Sequence, residues 1–421
     1  MENNETTVCS ICNRSLEGRP FIQGAKDDVA VCAECIQTAS ELLGLTPPVN
    51  EMDEDDYIEN LAFEDMIRPS AIRDYLNDYV IGQEEAKRVL SVAIYNHLKR
   101  MAHNANRDED APEIEKSNVL MVGPTGSGKT YLLRKLAELL DIPMIVADAS
   151  SMTAAGYVGS DPEVMLRQLL QAADENLERA ERGIIYIDEI DKLGRKSESA
   201  SITRDVSGES VQQQILKIIE GTKSQVPLDA NRLHPGGNNV EMDTSNILFV
   251  VGGSFEGIEE IIQKRIGEDA RKIGFGGSLD DDAKKEKKFN DYILDVEAED
   301  LRKFGMIPEL LGRLPVVVPL QELDVEALKQ ILTEPKNALL KQYQALLAYD
   351  GATIDFSDEA IKAIAEIAHE KKTGARSLRS VLEKVLLPHM FNLPDEEENV
   401  TFRFTEQSIR KGTAPERIVN K

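Results

Sequence analysis

Apolar residues in this chain fall into short dense runs, each closed by turn residues or acids and followed by stretches with helical spacing. Asn118-Val-Leu-Met-Val122 is one such run, too short for a buried helix and bounded by glycine, so it predicts a strand covered on both faces. Gly183-Ile-Ile-Tyr-Ile187 and Asn246-Ile-Leu-Phe-Val-Val251 predict two more, while Tyr131 to Leu140 carries the pattern of a helix. Strands of this kind alternating with helices predict an α/β domain with a parallel sheet and flanking helices over residues 66–318. Beyond Pro319 the pattern turns mostly helical, predicting a smaller second domain over 319–421, in which Lys372-Thr-Gly-Ala-Arg376-Ser-Leu-Arg379 opens a helix.

The first 65 residues read differently. Thr46-Pro47-Pro48 and the acid-rich stretch from Val49 to Asn60 predict a stiffened, self-repelling linker over 46–65. Ahead of it, all four cysteines of the chain, Cys9, Cys12, Cys32 and Cys35, form two CxxC pairs separated by 19 residues. That is the spacing of a four-thiolate zinc site, and a module of residues 1–45 is too small to fold on its own apolar core. Residues 1–45 hold seven acids against three bases, which directs the module towards proteins and away from nucleic acid.

Charge extends that conclusion to the whole chain. A net charge of −26 repels phosphate backbones, so nucleic acid is not an expected partner. No apolar run approaches the roughly 18 residues of a membrane span, and the acidic start lacks a signal-peptide pattern, so no membrane association and a cytoplasmic location are expected.

The first strand runs into Gly123-Pro124-Thr125-Gly126-Ser127-Gly128-Lys129-Thr130, a GxxxxGK[ST] loop in the strand-loop-helix setting it requires. Its glycines let successive N–H groups curl round phosphates, Lys129 reaches the β and γ oxygens, and Thr130 ligates Mg²⁺. ATP or GTP is the expected ligand. The second strand ends in Asp188-Glu189, predicting a Mg²⁺-facing carboxylate followed by a base that polarises the attacking water. Ser254, after the third strand, is a candidate polar sensor of the γ-phosphate. Arg313, set between Gly312 and Pro315, is a candidate arginine finger, and Arg376 is placed to reach the same phosphates from the second domain.

Two glycine-rich segments carry apolar side chains with no core to enter. In Ala154-Ala155-Gly156-Tyr157-Val158-Gly159 the ring is presented on a loop. In Arg271-Lys272-Ile273-Gly274-Phe275-Gly276, followed by the charged run 280–288, the apolar pair suits an anchor that enters a partner's pocket.

The cysteine pairs, Tyr79-Val80-Ile81-Gly82-Gln83, the phosphate loop, the Gly156–Gly159 segment, Ile184–Lys192, Ile307–Pro315 and Lys372–Arg379 occur together in the order of the ClpX family. The chain resembles these AAA+ unfoldases of the bacterial Clp protease over nearly its whole length. The resemblance implies an AAA+ P-loop ATPase domain, a small C-terminal AAA+ domain and a treble-clef-like zinc domain that recognises substrates and adaptors and self-associates. It implies a homohexameric ring using ATP, Mg²⁺ and Zn²⁺, with Arg313 acting on the neighbouring subunit's ATP and Val80 and Ile81 packing on adenine. Tyr157 and Val158 then correspond to the pore loop that grips a polypeptide. Ile273, Gly274 and Phe275 correspond to the loop that docks on a ClpP-type peptidase. Arg232 and His234 correspond to a loop at the pore entrance, where this chain carries Leu233 between them in place of the family's usual lysine. The function implied is ATP-dependent unfolding of tagged proteins for the peptidase, the alternative being protease-independent remodelling of protein complexes.

Overall fold

The computed structural model describes residues 8–12, 14–16, 21–23, 30–32, 35, 66–108, 110–152, 163–194, 206–227, 239–273, 289–391, 393–395 and 400–419. The chain divides into two compact units, residues 1–61 and 62–421.

In the first unit, β1 (Phe21–Gln23) pairs antiparallel with β2 (Ala30–Cys32). Ser10 is tied to Ala30 by both its N–H, at 2.7 Å, and its hydroxyl, which accepts the Ala30 N–H at 3.1 Å. Cys9, Leu16, Ala30 and Cys32 are the buried apolar residues described here, too few to supply a core without a further cross-link.

The second unit begins with α1 (Pro69–Asn77) and α2 (Glu84–Ala105). Strand β3 (Val119–Val122) then leads through the phosphate loop into α3 (Lys129–Leu140), whose Leu132, Leu133, Leu136 and Ala137 form one buried stripe. It continues through β4 (Met144–Asp148), α4 (Val164–Ala172), β5 (Ile184–Asp188) and α5 (Val206–Ile219). An antiparallel hairpin of β6 (Lys223–Pro227) and β7 (Asn239–Asp243) precedes β8 (Leu248–Gly253), α6 (Ile258–Ile273) and β9 (Val316–Pro319). The five-stranded sheet has the order β4-β5-β8-β3-β9 with every pairing parallel. Every residue of β3 and β8 is buried, as strands covered by helices on both faces must be. Because the strands run the same way, the ends of β3, β5 and β8 converge on one edge, where a parallel sheet opens to ligands.

A second core follows, built from α7 (Val325–Thr333), α8 (Leu339–Ala348), α9 (Asp358–Glu370) and α10 (Arg376–Met390) around Leu328, Leu347, Ile364 and Leu382. Asp324 and Ser357 cap α7 and α9 by accepting the N–H groups of Ala327 and Ala360. This core also carries a sheet of β10 (Ala352–Phe356), β11 (Val400–Phe404) and β12 (Glu416–Val419), in which β10 and β11 run parallel. The helical content matches the sequence expectation, and the small sheet adds to it.

At the opposite edge of the main sheet, before β3 and β8, lies a basic cluster. Lys116, a partly buried residue, donates its ammonium to the Thr244 carbonyl at 2.8 Å and holds it 4.5 Å from the centre of the Phe249 ring. Burial, with Arg100 nearby and Asp243 in partial compensation, lowers its pKa to about 7. Burial, reinforced by Arg100 and Lys116, brings His97 down to about 3. Among the described residues, no helix is long and apolar enough to cross a membrane.

Candidate functional site

The ends of β3 and β5 enclose a cavity of about 310 Å³ bordered by Thr125, Gly126, Gly128, Lys129, Thr130, Asp188, Glu189, Ser254 and Arg376. Gly126 has φ +77°, and a Cβ on it would come within 2.1 Å of the Thr373 carbonyl oxygen, so no side chain fits there. Its own carbonyl accepts the Ala375 N–H at 3.2 Å. The phosphate loop thus rests directly on the turn that leads into α10, whose first residue, Arg376, borders the cavity.

Lys129 is buried and folds back on its own loop, donating to the carbonyls of Gly123 at 2.6 Å and Pro124 at 3.0 Å. Burial lowers its pKa to about 8, against the opposing pull of Asp188 and Asp191. An incoming phosphate would replace those carbonyls with a far better counter-charge. Thr130 Oγ1 lies 3.5 Å from Asp188 Oδ2. Adjacent oxygens held about 2.1 Å from an octahedral cation sit about 3 Å apart, so this pair fits Mg²⁺ after a small adjustment. Glu189 follows at φ +59°, a left-handed conformation rarely adopted by residues other than glycine, and borders the cavity.

Two bracing residues lie within the family-like segments Ile184–Lys192 and Tyr79–Gln83 but were not expected as site residues. Asp191, 1% exposed, accepts the Ser254 N–H at 3.2 Å and its hydroxyl at 3.0 Å, tying the turn after β8 to the one after β5. Gln83, buried at φ +58°, donates to the Ser127 carbonyl at 3.2 Å. That it falls in the Tyr79–Gln83 segment was the only sequence signal of its contact.

In the first unit the four cysteine sulfurs all lie within 4.8 Å of one another, with Cys12 and Cys32 at 3.7 Å. Four sulfurs held about 2.3 Å from one centre in a tetrahedron sit about 3.8 Å apart, so the cluster fits zinc. Hydrogen bonds from the backbone of Cys12 and Cys32 lower Cys9 to about 6, whereas its contact with Cys12 raises Cys35 to about 12, the mark of thiols crowded round one point.

Residues 114–317 match the family described as the AAA domain (Cdc48 subfamily), and 323–403 match the C-terminal, D2-small domain of ClpB protein. The ATP-dependent Clp protease ATP-binding subunit ClpX of Treponema denticola is 46% identical over 389 residues, covering 92% of this chain and 90% of that protein. The chain belongs to the ClpX family. It is accordingly an AAA+ ATPase, which decides between the two nucleotides left open by the phosphate loop alone.

The other positions expected from the ClpX family are not gathered at the cavity. Arg313 is half-exposed, its Nε donating to Glu220 Oε1 at 3.0 Å and its carbonyl held by Asn118 Nδ2 at 3.1 Å. Val80 is buried and Ile81 half-buried, and neither borders the cavity. Tyr157, Val158, Arg232, His234, Gly274 and Phe275 lie outside the described residues, and Ile273 is the last residue of α6.

Proposed function

We propose that this protein is an ATP-dependent unfoldase and polypeptide translocase that works as a homohexamer and delivers tagged proteins to a ClpP-type peptidase. The observation that carries the reading is the cavity in which the phosphate loop, Asp188, Glu189 and Arg376 of the second core meet. Hydrolysis there is positioned to change the relation between two separately cored bodies, which is the output a mechanical enzyme needs.

Residues Gly123 to Thr130 cradle the ATP phosphates, with Lys129 leaving its loop carbonyls for the β and γ oxygens and Arg376 approaching from α10. Thr130 and Asp188 hold Mg²⁺, which when bound neutralises charge on the phosphates. Glu189 accepts the proton of the attacking water. Arg313, outside its own cavity and half-exposed, is available to a neighbouring subunit, where it stabilises transition-state charge. Val80 and Ile81 pack on the adenine. Tyr157 and Val158 grip the polypeptide in the pore, Arg232 and His234 meet it at the entrance, and Ile273, Gly274 and Phe275 dock the peptidase. Residues 1–45, folded by Zn²⁺, recognise substrates and adaptors and self-associate, with 46–65 as tether to the ATPase domain at 66–318 and the small domain at 319–421. A cytoplasmic location and no nucleic-acid partner complete the reading.

The test supplies full-length protein, Mg²⁺-ATP and a ClpP-type peptidase with a stably folded, tagged fluorescent reporter. Loss of fluorescence that needs ATP, and degradation that also needs the peptidase and is lost in Phe275→Ala, are expected. ATP-dependent loss of fluorescence with no peptidase response would favour protease-independent remodelling, and no loss at all would refute unfolding.

A further inference from the structure

Tyr186 stands two residues before Asp188 on β5, and residues two apart in a strand share a face. Its side chain is fully buried, and its hydroxyl donates to Asp188 Oδ1 at 2.9 Å. The same oxygen accepts the Glu189 backbone N–H at 2.9 Å. Two donors therefore occupy one carboxylate oxygen, and the other, Oδ2, faces Thr130 Oγ1. A carboxylate on its own rotates through a broad torsional well, so a single N–H would leave this one free to swing.

The neighbouring strand is shaped to admit the tyrosine. A Cβ at Gly252 would fall 2.3 Å from the Tyr186 hydroxyl and 2.7 Å from its ring, so β8 carries glycine where the ring lies across it.

We propose that Tyr186 is a positioning residue of the nucleotide site, locking Asp188 so that Oδ2 is presented to the divalent cation that accompanies the nucleotide. This rests on the reading of Asp188 as the Mg²⁺-facing carboxylate. The lock also ties carboxylate orientation to the backbone of Glu189, since both donors share Oδ1.

The test compares the full-length protein with Tyr186→Phe and Asp188→Asn. Binding of a fluorescent N-methylanthraniloyl-ADP is measured in EDTA and across a Mg²⁺ titration, together with the thermal midpoint. Tyr186→Phe keeps the packing ring, so its affinity in EDTA should match the parent and its midpoint should fall by no more than the few degrees that one lost hydrogen bond costs. It should need about ten times more Mg²⁺ to reach the metal-dependent gain in affinity, the scale of one hydrogen bond to a charged acceptor. Asp188→Asn should lose most of that gain and sets the full scale. Parent-like Mg²⁺ dependence in Tyr186→Phe beside a loss in Asp188→Asn would overturn the proposal alone. Parent-like behaviour in both would overturn the reading of Asp188 as well. An equal loss of affinity with and without Mg²⁺, with a lowered midpoint, would make Tyr186 a packing residue and overturn the proposal.

Discussion

The side-chain amide of Gln83 pairs with the backbone of Gln321 in both directions, its Nε2 donating to the carbonyl at 2.8 Å and its Oε1 accepting the N–H at 2.9 Å. The same Nε2 reaches the Ser127 carbonyl of the phosphate loop. One buried amide thus joins the segment before α2, the nucleotide loop and the segment leaving β9 towards the second core. Gln83→Glu keeps the shape and the acceptor but loses both donations and sets a carboxylate against two carbonyls. A lowered thermal midpoint and a raised KM for ATP are expected, because a buried charged group left unpaired costs more than about 1–3 kcal/mol. Parent values of both in calorimetry and steady-state hydrolysis would remove Gln83 from the site.

Glu189→Gln should still bind ATP, since no group of the phosphate loop is touched, while hydrolysis falls by at least about 10² as the proton acceptor is lost. Equilibrium ATP binding beside single-turnover hydrolysis separates the two, and near-parent turnover would reassign the base.

For the cysteine cluster, Cys35→Ser should release close to one zinc per chain and unfold the residues around it, with ATP hydrolysis largely kept because every residue of the nucleotide site belongs to the other unit. Metal analysis of the purified protein and a hydrolysis assay check this. A parent preparation with no zinc would refute the site.

The depressed pKa of Lys116 has a definite sign. Between about 7, its value here, and its ordinary 10.5, the unfolded chain holds a proton that the folded chain has released, so this group makes the fold more stable as pH rises through that window. Lys116→Met should flatten that part of the profile and raise the thermal midpoint most at pH 7 and below, where the parent must keep a buried charge. Denaturation at pH 6.5, 7.5 and 8.5 checks it, and an unchanged slope would show that the ammonium is solvated.

Local pattern carried much of the main sheet. The runs 118–122, 183–187 and 246–251 coincide within two residues with strands at 119–122, 184–188 and 248–253, since each is short, apolar and ended by glycine or acid. The small sheet was hidden because β10 alternates buried and exposed positions over only five residues amid helices. Gln83, Asp191 and Tyr186 were illegible as site residues for another reason. Their partners Gln321, Ser254 and Gly252 lie 63 to 238 positions away, brought near only by the tertiary fold. The cysteine spacing, by contrast, was legible, because two thiols three positions apart recur twice and the four sulfurs lie within 4.8 Å of one another.

The seat of Gly126 on the turn before α10 sets up a lever. In that turn Lys372 has φ +53° and Gly374 φ +56°, and the helix it starts runs for 15 residues. At about 1.5 Å per residue the helix is about 22 Å long, so a tilt of about ten degrees at the phosphate-loop end sweeps its far end by about 4 Å. At that far end Leu387 and Phe391 stand exposed, so a tilt of that size at the phosphate loop would be read at the surface as a stroke of about one peptide unit.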